Sequence, residues 1–106
     1  MARISIATDF TRTPGARFKS HGPYSGQEFR EQFLEPLFRS GADTAIISID
    51  LDGVSGYATS FLEEAFGGLA RIFGRDTVKA RVEFFSEDDP TLLTEIASYI
   101  DAVGSK

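Results

Sequence analysis

The stretch that most constrains the fold runs from Ile46 to Gly74, IISIDLDGVSGYATSFLEEAFGGLARIFG. Within it the apolar run Ala45 to Ile49 has the composition of a strand covered on both faces, and Asp52-Gly53 is a turn signal. Ser60 followed by Glu63 has the spacing of a capping box, which places a helix start at Ser60. A buried strand feeding a helix through a short polar turn predicts an α/β unit with parallel strands joined by helical crossovers. The turn then lies at the positive end of that helix, where backbone N–H groups lack intrahelical partners. A phosphate, a carboxylate or a partner's acidic side chain is the ligand such a turn suits.

The flanking sequence extends the pattern. Arg3 to Asp9 alternates apolar and polar residues as a half-buried strand does, and Thr13-Pro14-Gly15 turns the chain back along Ala16 to Ser20 as a short second strand. Ser25 and Glu28 repeat the capping-box spacing, and Phe29, Phe33, Leu34, Leu37 and Phe38 recur at helical intervals until Ser40-Gly41. Pro36 removes a backbone donor and is expected to kink or divide this helix near Glu35. A strand over Thr44 to Leu51, a helix from about Phe61 to Phe73 and a strand over Val78 to Phe85 follow. Asp89-Pro90 opens a last helix, with Asp89 as cap and the proline at the first helical position; Leu92, Leu93, Ile96, Ile100 and Val103 form its buried stripe. The expectation is a single domain over residues 1–106, frayed at 104–106, with a small mixed or parallel sheet of about four strands and three helices. Ile46, Ile47, Ile49, Phe61, Leu62, Phe66, Leu69, Val82 and Phe84 are its expected core.

At about 100° per residue, the helix after the turn gathers Phe61, Leu62, Ala65, Phe66, Leu69, Ile72 and Phe73 on one face, with Glu63, Glu64, Gly67 and Arg71 opposite. Gly68 falls at the edge of the buried face, where its lack of a Cβ permits close packing of helix on sheet. Gly67 is expected near the centre of the face toward water, at a cost of about 1 kcal/mol relative to alanine. A glycine there marks a candidate surface for backbone approach by another chain.

Composition removes several function classes. The absence of cysteine excludes disulfides, thiolate metal sites and cysteine nucleophiles, and agrees with a reducing, cytoplasmic setting. A net charge of −5 opposes non-specific nucleic-acid binding, although Arg12, Arg17, Lys19 and His21 make one basic cluster of the kind ordinarily found on a solvated surface. No apolar run approaches the roughly 18–20 residues that span a bilayer, and the N-terminus carries no apolar signal core. His21 is the only histidine, so neither a two-histidine metal site nor a histidine-based triad with a second imidazole can form. No metal and no cofactor is expected.

Two blocks carry a family resemblance. Ile49-Asp50-Leu51-Asp52-Gly53-Val54, followed by a polar turn and a helix, resembles the signature of STAS domains, the fold of bacterial anti-sigma-factor antagonists. The pattern is closer still to a STAS-like family of small bacterial proteins of unknown function. Arg17, Gly22, Ser25, Gly26, Phe29 and Arg30 in RFKSHGPYSGQEFR, together with SFLEEAFGGL at 60–69, look like that family's characteristic blocks. In STAS antagonists the turn before the helix carries an aspartate followed by a serine that a partner kinase phosphorylates, and the dephosphorylated form binds a histidine-kinase-like ATPase. Alignment on Val54 places Ala58 at that aspartate and Thr59 at the phosphoacceptor, with Ser60 next. Thr59 and Ser60 keep hydroxyls there, and Ser60 is also explained as an N-cap worth about 1 kcal/mol.

The expectation for function is a non-enzymatic regulatory module of a bacterial regulatory or defence circuit. By resemblance its partner is a histidine-kinase-like ATPase. The expected contact surface is Ser55, Gly56, Tyr57, Thr59, Ser60, Glu63, Glu64, Gly67 and Arg71. Two alternatives stay open: a phosphoryl-handling enzyme or phosphoacceptor using Asp50, Asp52 and the Ser60 helix start, and a homo-oligomeric subunit in which Gly67 meets its symmetry mate. Asp50 and Asp52 also fit ordinary turn chemistry, and Glu63 and Glu64 fit the acids favoured in a first helical turn.

Overall fold

Three short strands, β1 (Ala2–Ser5), β2 (Ile47–Asp50) and β3 (Val82–Phe85), pair in parallel in the order β1-β2-β3. The computed structural model describes residues 2–40 and 46–104, so the expectations for Gly41, for the strand start at Thr44 and Ala45 and for the final two residues lie outside it. Register puts Ala2, Ile47 and Val82 in one row and Ile4, Ile49 and Phe84 in the next, which makes one face of the sheet apolar. The opposite face carries Arg3, Ser48 and Glu83, then Ser5, Asp50 and Phe85. Right-handed crossovers between strands laid down in sequence order place their helices on the same side of the sheet. The result is two layers; β2 itself is covered on both faces, with Ile47, Ser48 and Ile49 all buried, while Arg3 and Glu83 on the flanking strands are exposed.

The α/β class of the sequence reading stands, with fewer strands. Ala16 to Ser20 forms no strand; a short 3-10 turn spans Lys19–His21. β1 ends at Ser5 and not at Asp9, because local side-chain bonds compete with the ladder. The Ser5 hydroxyl accepts the Thr8 N–H at 3.2 Å, the Asp9 carboxylate accepts the Ser5 N–H at 2.8 Å, and Ile6–Phe10 close one wide turn. The expected strand from Val78 also begins late. Gly74, at φ 98°, ends one helix and starts another, α3 (Arg75–Arg81), whose Val78 N–H bonds the Gly74 carbonyl. The β-branched Val78 has strand propensity, but a helical turn buries it.

The two long helices each contain one wide turn with i→i−5 bonding. Helix α1, residues 26–39, joins Gly26–Phe29 and Glu35–Arg39 through Arg30–Leu34, with the Glu35 N–H on the Arg30 carbonyl. Pro36 follows this turn directly. Its ring would clash with the carbonyl four residues back in a regular helix, and the wider turn relieves that, so the division foreseen at Glu35 takes this form. Helix α2, residues 59–73, joins Thr59–Leu62 and Gly68–Phe73 through Glu63–Gly67, with the Gly68 N–H on the Glu63 carbonyl. One extra residue in a turn sets the following residues back by about 100°. Ala70 therefore turns inward and Ile72, expected inside, is 46% exposed.

Aromatic rings tie the layers together. Phe29, Phe61 and Phe66 are fully buried, Phe10 sits 5.2 Å from Phe29 between ring centroids, and Phe66 meets Phe84 edge-on at 4.9 Å. Of the expected core, Ile46 and Phe84 are half-buried and the rest are buried. Helix α4 (Thr91–Asp101) buries Leu92, Ile96 and Ile100 and leaves Leu93 at the surface. The Asp89 carboxylate accepts the Thr91 N–H at 3.2 Å, which makes it the cap read from the sequence, since helix ends are uncertain by a residue. Phe66→Ala should lower the unfolding free energy by about 3–5 kcal/mol in denaturant titration; a loss below about 1 kcal/mol would mean that the ring is not enclosed.

Candidate functional site

The two sequence blocks meet in space. Gly26 at the start of α1 lies so close to α2 that a Cβ on it would stand 2.5 Å from the Phe61 carbonyl oxygen. One turn on, the Arg30 guanidinium enters the wide turn of α2. There Gly68 bonds Glu63 O in place of Glu64 O, so the Glu64 carbonyl loses its helical donor, and Arg30 Nη1 supplies one at 2.9 Å. The same Nη1 donates to Glu64 Oε2 at 2.5 Å, and Nε donates to Glu35 Oε2 at 2.8 Å. Gly68 is required by this guanidinium: its Cβ would stand 2.5 Å from Arg30 Nη1. The expectation that Gly68 serves helix-on-sheet packing is thereby corrected to helix on helix.

A second tier of charge covers the first. Arg17 Nη1 donates to Glu63 Oε1 and lies 3.7 Å from Glu64, while Arg71 Nη1 donates to Glu63 Oε2 at 2.6 Å. The Glu63–Arg71 pair lies over Gly67, whose Cβ would stand 2.8 Å from Glu63 Oε2. Gly67 is buried. The expected solvent-facing Gly67, and any approach of another chain to its backbone, are thus overturned, because charged side chains of its own helix close that face. Glu64 is buried too, which removes it from the expected contact surface. Burial works to raise the Glu35 carboxyl, yet its hydrogen bonds to Arg30 and Arg39 prevail and hold it below the ordinary glutamate value. Hydrogen bonding to Arg71, opposed by burial and aided by Arg17, lowers Glu63 likewise.

The remaining first-block residues serve this junction or its approach. Ser25 caps α1 by accepting the Glu28 N–H at 3.0 Å, Phe29 fills the core, and Gly22 takes φ 151°, which glycine alone adopts without strain. The basic cluster is largely neutralised. Arg17 is engaged as above, Lys19 pairs with Glu31 at 2.6 Å, and Arg12 and His21 are exposed.

At the carboxyl ends of β2 and β3 the two following loops hold each other. Asp52 accepts the Ser86 hydroxyl and the Glu87 and Asp88 N–H groups, at 3.0, 2.9 and 3.0 Å, and Asp88 returns the contact by accepting the Gly53 N–H at 3.1 Å. The Glu87 and Asp88 backbone donors, opposed by burial, lower the Asp52 carboxyl. Asp50 accepts the Asp52 N–H at 3.0 Å. Both aspartates named for phosphoryl chemistry are thus engaged in turn bonding. Among the described residues no group of His, Asp and Glu side chains is arranged to hold a metal ion.

Between these loops opens a crevice of about 260 Å³, in the position where open α/β sheets commonly bind ligands. Val54 to Tyr57 line one side and Asp88, Asp89 and Glu95 the other. Tyr57 donates to the Leu51 carbonyl at 2.7 Å, and Ser55 donates to the Arg12 carbonyl from both N–H and hydroxyl, at 2.9 and 3.1 Å. Ser55, Gly56 and Thr59 are exposed, and Tyr57 and Ser60 half-buried. The expected Ser60 cap is corrected: the helix starts at Thr59 after Ala58, which has no side-chain acceptor, and Glu63 is held by arginines. The anion-seeking turn is corrected as well, since three carboxylates rim the crevice. Two of those acids come from the second loop, where Asp88-Asp89-Pro90 reads in the sequence only as a helix start, and Glu95 comes from α4.

A parallel α/β sheet followed at its strand ends by this loop and helix defines a STAS-like domain. The family described as a STAS-like domain of unknown function (DUF4325) matches residues 25–92, more than half of the chain, and the protein belongs to that family. Arg17 and Gly22 precede the matched region, whereas Gly26, Arg30, Glu64 and Gly68 lie within it. Neither the curated proteins nor the solved structures contain a match to this chain. Among the described residues no helix is long and apolar enough to cross a membrane.

The junction predicts opposite outcomes for two glycines. Gly26→Ala forces a methyl against a backbone carbonyl and should destabilise by about 1–3 kcal/mol or more. Gly67→Ala meets only the side-chain ends of Glu63 and Arg71, and its helix-propensity gain of up to about 1 kcal/mol should offset the displaced pair. Denaturant unfolding of both variants checks this; equal losses would refute the distinction.

Proposed function

We propose that this domain is a non-enzymatic interaction module that engages a regulatory protein through the loop at residues 55–59 and the crevice beside it. The observation that carries this reading is the commitment of the chemistry-bearing acids. Asp50 and Asp52 bond turns, and Glu63 and Glu64 bond arginines, while Ser55 and Gly56 stand exposed on a loop anchored at both ends and Thr59 stands exposed at the helix start that follows it. Exposed loops on rigid scaffolds are where binding residues concentrate. The rim of Asp88, Asp89 and Glu95 makes a basic side chain the complementary group on the partner. A histidine-kinase-like ATPase is the partner class proposed from the STAS resemblance, a fold-level analogy. Exposure of Thr59 favours a second reading, in which that hydroxyl and not Ser60 accepts a phosphoryl group.

Gly56→Arg tests the interaction. A Cβ on Gly56 meets no atom within 4 Å, so the fold should tolerate the change to within about 0.5 kcal/mol. The added bulk and positive charge should weaken titrated binding to a purified ATPase of that class at least about tenfold, or about 1.4 kcal/mol. Unchanged affinity, with binding present, would place the contact elsewhere.

A further inference from the structure

The two edges of the sheet differ. By ladder alternation the outward backbone groups of β1 are those of Arg3 and Ser5, and the Asp9 carboxylate occupies the Ser5 N–H. On the other side, Leu51 N–H bonds Phe85 O, so Glu83 and Phe85 face β2, while Val82 and Phe84 turn their backbone groups outward. The Val82 N–H is taken by Val78 O. The Val82 carbonyl and both Phe84 backbone groups are left at an edge carrying neither proline nor bulge, the usual guards against pairing. Beside this edge runs a groove of about 160 Å³, lined by Val82, Phe84, Leu93, Ala97 and Ile100 with Lys79 at one end. Leu93 is 36% exposed on it, and Phe85, on the other sheet face, is 45% exposed.

Charge along the edge has a direction. The chain enters β3 past the exposed Lys79, which pairs with Asp101 of helix α4 at 2.7 Å, and leaves it through Glu87, Asp88 and Asp89, all exposed. Laid antiparallel on itself about Phe84, the strand opposes Phe84 to Phe84 and Val82 to Ser86. Glu83 then faces Phe85, and the Lys79 end meets the acidic exit of the other copy. Parallel self-pairing would instead put acid beside acid. A two-fold contact is self-complementary by construction, and Phe84 at its centre would exchange both backbone bonds with its mate.

We propose that a second copy of this chain pairs antiparallel along the outer edge of β3, joining two three-stranded sheets into one and seating Phe84 and Leu93 of each copy in the shared groove. This surface is separate from the crevice at the strand ends. Sedimentation equilibrium of the full chain should show a dimer that weakens with added salt. Leu93→Glu, at a surface position, should raise the dimer dissociation constant about tenfold or more, and Lys79→Glu should weaken it less. Hydrogen exchange gives an independent readout: the Phe84 amide should be protected in the dimer and exchange freely in Leu93→Glu, with thermal unfolding confirming the fold. A protein that stays monomeric at millimolar concentration, or a dimer indifferent to Leu93→Glu with an unprotected Phe84 amide, overturns the proposal.

Discussion

One arginine of α1 completes a turn of α2. Where α2 widens at Glu63–Gly67, the Glu64 carbonyl is left without its helical donor, and Arg30 fills the place while its charge is met by Glu64 and Glu35. The exchange works both ways. The wide turn needs an outside donor to avoid a buried unpaired carbonyl, and the buried guanidinium needs two carboxylates to avoid an uncompensated charge. Gly26 and Gly68 follow from this contact: one lets the helices approach, the other leaves room for the guanidinium between them. Burial alone would lower the Arg30 pKa, but the bonds to Glu35 and Glu64 raise it, so the ion remains an ion.

The position of α2 in turn sets the loop that precedes it. The helix can start at Thr59 without a side-chain cap because its first turns are held by Phe61 and Leu62 in the core and by the arginine junction beyond. The loop is then pinned to Arg12 through Ser55 and to the end of β2 through Tyr57, while Asp52 ties it across to the loop after β3. Burial, with the Asp50 and Asp52 charges adding to it, holds the Tyr57 phenol protonated well above its ordinary range, as a donor to a carbonyl requires. Stability is thereby concentrated behind the crevice, and the exposed groups at its mouth are small or hydroxylic on the side of Ser55 and Gly56 and acidic on the side of Asp88 and Asp89.

Periodicity made the β2 strand, both long helices and most of the core legible, since Ile47, Ile49, Phe61, Leu62, Phe66 and Leu69 recur at strand or helix spacing and are buried. The failures share a cause. A wheel drawn at 100° per residue assumes regular turns, and one i→i−5 turn in α2 moved Ile72 out and Ala70 in. Gly67 departs from the wheel for a related reason: the polar stripe of α2 is closed by an ion pair formed by Glu63 and Arg71, eight residues apart, with Arg17 from the segment before α1. Gly26, Arg30, Glu64 and Gly68 of the junction are visible within the family blocks and Glu35 is not, while the pairing of Arg30 with Glu64 is a long-range contact that no local spacing encodes. The acids of the crevice are hidden similarly, Asp88 and Asp89 in a loop that reads as an ordinary helix start and Glu95 on the helix that follows.

The account stands or falls on the coupling between Arg30 and Glu64. A double-mutant cycle of Arg30→Met, Glu64→Gln and the pair, measured by denaturant unfolding, isolates it from the separate cost of each change. Removing the arginine alone should cost about 3–5 kcal/mol, because Glu64 and Glu35 are left buried and uncompensated. The cycle should return a coupling of about 1–3 kcal/mol. Additivity within about 0.5 kcal/mol would contradict the account, and would mean that α1 and α2 are held by their phenylalanines without the charge between them.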